Sequence, residues 1–215
     1  MSSEPAEPRS LGEPAALAVR RTLLDSPHLA ALAPMLRDLR AAHGEVPDPD
    51  PLDGGADARL LLLLEAPGPR IRATGIVSRD NPAGTAANLF RFLREAGIAR
   101  RDTLVWNAVP WIIHPPGALN RAPRRAEIAA GLRWLPPLLA CLPRLVAAVL
   151  AGRVAALAAP VLAACRPGLP IRRMPHPSPT FLCTSPRHPA TIRAVLAEIG
   201  QLLAEPGRRC PDARL

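Results

Sequence analysis

Three short segments of this chain pair a polar side chain with proline or glycine: Glu65-Ala66-Pro67-Gly68-Pro69, Asn107-Ala108-Val109-Pro110-Trp111 and Pro175-His176-Pro177-Ser178-Pro179. Asn107 carries a donor and an acceptor on one planar group, which suits bidentate reading of a base's Watson–Crick edge. Its simpler alternative is an asparagine that caps the turn out of a strand. His176, held between prolines, is a candidate hydrogen-bond donor to a group that gains negative charge, and a solvated loop histidine is the alternative. Glu65 is placed either to orient a water molecule or to steady a cation electrostatically. Asp80, in Ser78-Arg79-Asp80-Asn81, is a rival carboxylate, with turn formation as its simpler role.

Side chains this far apart in sequence act together only if the fold brings them to one place. Short apolar runs at 59–64, 103–106, 145–150 and 171–174 read as strands. A helix is expected from about 85 to 97, with Ala86, Leu89, Phe90, Leu93 and Ala96 on one face. Others are expected at about 124–141, where Pro136 and Pro137 kink or break the helix, at 153–165 and at 189–204. One more runs from Ser26 and Pro27 through Leu29, Leu32, Leu36 and Leu39 to Gly44, before a Pro/Asp/Gly loop over 46–57. This alternation predicts an α/β fold of three layers, α/β/α, around a central four-stranded parallel sheet. In such sheets the ligand crevice lies beyond the carboxyl ends of the strands, which is where the three segments fall.

A chain of 215 residues suffices for one well-buried core and not for two ordinary enzymatic domains. We expect a single domain over 15–205, with flexible tails at 1–14 and 206–215. Its 27 basic and 18 acidic residues give a formal charge of +9, which favours polyanionic partners such as nucleic acid. All the basic residues are arginine, so a GC-rich coding bias is a second source of the charge, and Schiff-base chemistry by lysine is excluded. The four cysteines form no C-x-x-C pair, so no metal and no cofactor is expected. No G-x-G-x-x-G or G-x-x-x-x-G-K-[ST] phosphate loop is present. The N-terminus lacks a secretory pattern and the apolar runs are too short to span a bilayer, so a cytoplasmic monomer without a membrane partner is expected.

From about residue 59 to 203 the chain resembles the uracil-DNA glycosylase superfamily. The three polar segments occur in the family's order, and Thr-Ala-Ala-Asn-Leu-Phe-Arg-Phe-Leu-Arg-Glu-Ala-Gly-Ile at 85–98 is similar to the helix that follows the family's first loop. Asn120-Arg121-Ala122-Pro123 with Glu127-Ile128, and Val149-Leu150-Ala151-Gly152-Arg153, extend the resemblance. The first loop is most similar to the iron-sulfur branch, which places cluster cysteines where this chain has Trp111 and Gly131, so the cluster is expected to be absent. The aspartate that positions the attacking water in many members is matched here by Ala66. Where some members stack the base on an aromatic ring, this chain offers Ile76, Val77 and Pro82.

The resemblance implies a monofunctional DNA-repair glycosylase that hydrolyses the N-glycosidic bond of a flipped damaged base, foremost uracil, in DNA containing such a base. It implies catalytic roles for Glu65 and His176, with Asp80 as the rival carboxylate. His176 would donate to the base carbonyl oxygen. Asn107, Ala66 and Pro67 would hold the base. Gly68, Ser178, Leu182 and Arg187 would contact DNA, with Arg70, Arg72, Arg79, Arg121 and Arg173 as further sources of charge. Thr180-Phe181-Leu182-Cys183 resembles the loop that wedges into the minor groove, with Leu182 or Phe181 filling the vacated stack or, alternatively, anchoring a buried loop. A catalytically weak or inactive DNA-binding member of the same fold is the second reading. An unrelated α/β protein acting on a nucleotide or small metabolite is the third.

Overall fold

The computed structural model describes residues 7–205, so the tail expected at 206–215 and the first part of the one expected at 1–14 lie outside the described residues. The strands are β1 (Asp48–Pro49), β2 (Leu60–Leu64), β3 (Ile76–Val77), β4 (Thr103–Asn107), β5 (Ala147–Ala151) and β6 (Ile171–Met174). The helices are α1 (Pro14–Thr22), α2 (Pro27–Ala30), α3 (Ala33–His43), α4 (Gly84–Glu95), α5 (Arg125–Leu132), α6 (Leu135–Ala140), α7 (Gly152–Ala156), α8 (Ala159–Cys165), α9 (Pro179–Leu182) and α10 (Arg187–Ala204).

Five consecutive leucines make β2 apolar on both faces, so it is stable only inside a sheet covered on both sides. It occupies that place. The four-stranded sheet runs β4-β2-β5-β6, all parallel, with Leu64 opposite Asn107 and Leu63 opposite both Trp106 and Leu150. Alternate side chains build two separate cores. Leu61, Leu63, Leu104, Trp106 and Leu150 pack against α3, α6 and α8, whereas Leu60, Leu62, Val105 and Val149 pack against α4 and α10. Helices on both faces of a parallel sheet give the expected three layers.

The chain winds from β2 outward to β4 by way of α4 on one face, then returns past β2 to β5 and leaves it along α7 on the other. The loops after β2 and β5 therefore diverge to opposite faces, and a crevice opens between them.

Several elements differ from the sequence reading. The helix expected from 27 to 44 is two helices, because Pro34 lacks an amide hydrogen and is tolerated only in the first turn of a new one, α3. Pro160 divides 153–165 into α7 and α8 in the same way. The expected break near Pro136 falls just before it, with both prolines in the opening turn of α6. The residues assigned to the first tail include a short turn at Ser10–Gly12 that buries Leu11 and bonds its N–H to the Asp80 carbonyl at 3.1 Å, so packing begins before residue 15. The loop at 46–57 contains β1, which pairs in parallel with β3.

A buried charge cluster fastens these N-terminal pieces to the sheet. Arg20 of α1 bonds both oxygens of Asp50, at 2.7 and 2.6 Å, and reaches Asp80 at 2.8 Å. Arg100 bonds Asp50 at 2.5 Å and Asp80 at 3.1 Å. The Ser78 hydroxyl donates to Asp50, and Arg79 donates to Thr103 at the start of β4.

Candidate active site

The carboxyl ends of β2, β4, β5 and β6 open into one cleft of about 1200 Å³. Glu65, Ala66, Pro67 and Gly68 line it from the loop after β2, and Asn107 lines it as the last residue of β4. Gly152 and Arg153 enter from the start of α7, and His176 and Ser178 from the loop after β6. The ladder between β2 and β4 continues past the strand ends, with Ala108 N–H on the Leu64 carbonyl at 2.9 Å and Val109 N–H on that of Glu65 at 3.0 Å. That continuation fixes the Glu65 loop against Asn107.

Asn107 is only 4% exposed and makes no side-chain hydrogen bond among the described residues. Its amide atoms are not sealed in by protein, and since Asn107 lines the cleft, its donor and acceptor are available there. Glu65 is half-buried; burial pushes its carboxyl above the ordinary glutamate range, and the neighbouring Arg153 offsets part of that rise. His176 is half-buried as well, and burial lowers its imidazole below the ordinary value, which favours the neutral ring.

Two neighbours hold His176 in place. Gly152 has φ +89°, and a Cβ built there would lie 3.1 Å from the His176 Cβ and 3.4 Å from Cδ2. The α7 turn thus packs directly on the imidazole. Asn88 of α4 donates its amide N–H to the Pro177 carbonyl at 2.9 Å, tying down the other side of the loop. Gly152→Ala is expected to lower stability by about 1–2 kcal/mol through its left-handed backbone alone and to displace the ring. Urea denaturation, together with the His176 imidazole resonances, tests this; unchanged resonances would show that the glycine does not position the histidine.

The other predicted residues separate clearly. Asp80 does not line the cleft: its carboxylate is fully buried and committed to Arg20 and Arg100, so the rival catalytic role is set aside. Leu182 packs against the core under α4 and α10, while the adjacent Phe181, 42% exposed, lines the cleft. Of these two residues, Phe181 is thus the one at the cleft, and its ring stacks on His188 at 4.4 Å between centroids. Arg187 is exposed at the start of α10 but outside the cleft wall. Arg70, Arg121 and Arg173 line the cleft, whereas Arg72 pairs with Glu45 and Arg79 is buried. Nothing lies within 4 Å of a Cβ built on Gly68, so its backbone is open to close approach. Gly152 and Asn88 carry no catalytic signature of their own and are revealed by their contacts to His176 and its loop, and Arg153 is revealed by its charge beside Glu65.

At the positions matching the iron-sulfur branch's cysteines, the Trp111 ring stacks on His43 at 3.8 Å, and Trp134 Nε1 donates to His43 Nε2 at 3.1 Å. A side chain at Gly131 would collide with the Ala108 carbonyl. Packed aromatic rings and a glycine without room for a side chain do not fit a metal cluster. No helix among the described residues is long and apolar enough to cross a membrane.

A search of curated proteins finds no match. The family model described as the Uracil DNA glycosylase superfamily matches residues 51–200, which span every strand of the four-stranded sheet and all three polar loops. With that match over most of its length, on a parallel sheet whose strand ends carry the cleft, the chain belongs to the uracil DNA glycosylase superfamily.

Proposed function

We propose that the protein is a monofunctional DNA glycosylase that receives a flipped damaged base, foremost uracil, in the cleft and hydrolyses its N-glycosidic bond. The observation that carries this reading is the meeting of Asn107, His176 and Glu65 in one cleft, none of their side chains bonded to another described residue, beside Arg70, Arg121, Arg153 and Arg173. Breaking the bond leaves negative charge on the departing base and positive charge on the sugar. Neutral His176 donates to the base carbonyl oxygen that gains charge. Asn107 donates to one edge atom of the base and accepts from the next, which fixes its orientation. Glu65, whose charged form Arg153 favours against burial, steadies the sugar cation or orients the water that adds to the anomeric carbon. Ala66 and Pro67 form the wall beside the base, and Gly68, Ser178 and the arginines hold the flanking phosphates.

Duplexes carrying uracil, hypoxanthine or xanthine, assayed for base release, test the proposal. Release of one of these bases, with binding that weakens on a log–log salt slope of about −0.9 for each phosphate contacted, is the expected result. Tight binding without release of any base would favour a DNA-binding member that does not turn over. Binding insensitive to salt would remove the nucleic-acid reading altogether.

A further inference from the structure

We propose that Leu119 is a second DNA-insertion side chain, entering the duplex from the sheet edge opposite Phe181. The proposal rests on the glycosylase reading for its substrate. Leu119 is 90% exposed, the most exposed large apolar residue described, ahead of Val19, Leu157 and Phe181 at 55%, 53% and 42%. Of these four, only Leu119 and Phe181 line the cleft. The strand order β4-β2-β5-β6 separates them, since Leu119 lies on the connection that leaves β4 at one edge and Phe181 on the one that leaves β6 at the other.

The loop that carries Leu119 is built to hold it outward. Pro115 and Pro116 restrict its approach, Ala118 N–H closes on the Pro115 carbonyl at 3.1 Å, and Gly117 turns the chain at φ +75°. Its far end is pinned by Arg121, which bonds both oxygens of Glu127, at 2.8 and 2.6 Å, and the Ile113 carbonyl at 2.9 Å. A leucine on such a tip gains nothing in water, and it joins neither core cluster among the described residues. The surface beside it is cationic, with Arg70, Arg153 and Arg173 on the same cleft, so the polymer that fits is one with phosphates outside and apolar base stacks within. Two apolar prongs at the two ends of a basic cleft can open a base step from both sides. One fills the gap left by the flipped nucleotide, and the other holds the neighbouring pair apart.

The test uses the full chain and a uracil duplex with 2-aminopurine next to the lesion, read by fluorescence, alongside single-turnover release from duplex and single-stranded substrate. Leu119→Ala is expected to abolish most of the 2-aminopurine rise and to lower the duplex-to-single-strand rate ratio about tenfold, with Leu119→Met restoring both. Because the residue is almost fully exposed, both variants should fold as the wild type does. An unchanged rise and ratio in Leu119→Ala would overturn the proposal. If the wild type brightens 2-aminopurine but releases no base, and Leu119→Ala does not brighten it, insertion stands and the turnover reading falls. If the wild type brightens nothing, insertion falls.

Discussion

His176→Ala is expected to lower the rate constant for base release by about 100- to 1000-fold, the usual loss when one preorganised donor to a developing anion is removed from a water-poor site. The imidazole is well suited to that role, since burial lowers its pKa and it is neutral at physiological pH. A neutral donor costs less to bury than a cation and still stabilises the anion when it forms. Asn107→Ala should also reduce the rate, and Asn107→Asp more selectively, because a carboxylate of the same shape accepts but cannot donate to a base carbonyl. The pH profile separates these residues from Glu65. Glu65 titrates above 4.5, the ordinary glutamate value, so an acid limb should appear there as its carboxylate is protonated, and Glu65→Gln should flatten it. Wild-type turnover surviving in His176→Ala would remove the histidine from the mechanism.

The parts of this site that sequence revealed are those whose residue types are unusual for their surroundings. Five leucines in a row could only be a strand covered on both faces, and a His between prolines at a strand end stands out in any apolar neighbourhood. The parts it did not reveal depend on who meets whom. Asp80 reads locally as a free loop carboxylate, and only the arrival of Arg20 and Arg100 from 60 and 20 residues away turns it into a structural anchor. Phe181 and Leu182 are adjacent, so sequence could not decide which faces the cleft; one turn of α9 settles it. β1 and β3 have two residues each, too few for any alternation to register. The prolines at 34 and 160 were legible as breaks in principle, because both stand where a helix restarts, yet the continuous apolar spacing around them concealed it.

The largest loss of stability should come from Asp50→Ala, which is expected to cost about 3–5 kcal/mol, the range for breaking a buried, hydrogen-bonded ion pair from one side. Asp50 is fully enclosed and accepts from Arg20, Arg100, the Ser78 hydroxyl and, at 2.9 Å, the Leu52 N–H. Burial opposes its ionisation, but Arg100 and Arg20 outweigh burial and hold the carboxyl below its ordinary range. Arg20 and Arg100 are both buried and share the Asp50 carboxylate, so removing it leaves positive charge in the core without compensation. Asp53 provides the contrast. Burial pushes its carboxyl up to about 7 despite Arg79 and Arg100, so Asp53→Asn, which mimics the protonated form, should cost far less. The sign of its pH dependence follows from that rise. A folded pKa above the ordinary 3.8 means that Asp53 binds a proton more tightly in the native state, so its contribution is full below about pH 4 and is lost as pH climbs through about 7. Urea denaturation at several pH values, followed by tryptophan fluorescence, should therefore show Asp50→Ala strongly destabilised throughout and Asp53→Asn with a flatter slope than wild type. Ser78 belongs both to this cluster and to the cleft wall, so loosening Asp50 should also slow base release beyond what the loss of folded protein explains. A stable Asp50→Ala protein, within about 1 kcal/mol of wild type, would mean that the buried charges compensate one another in some other arrangement, and that the wall carrying Ser78 and Asn81 is held by its backbone alone.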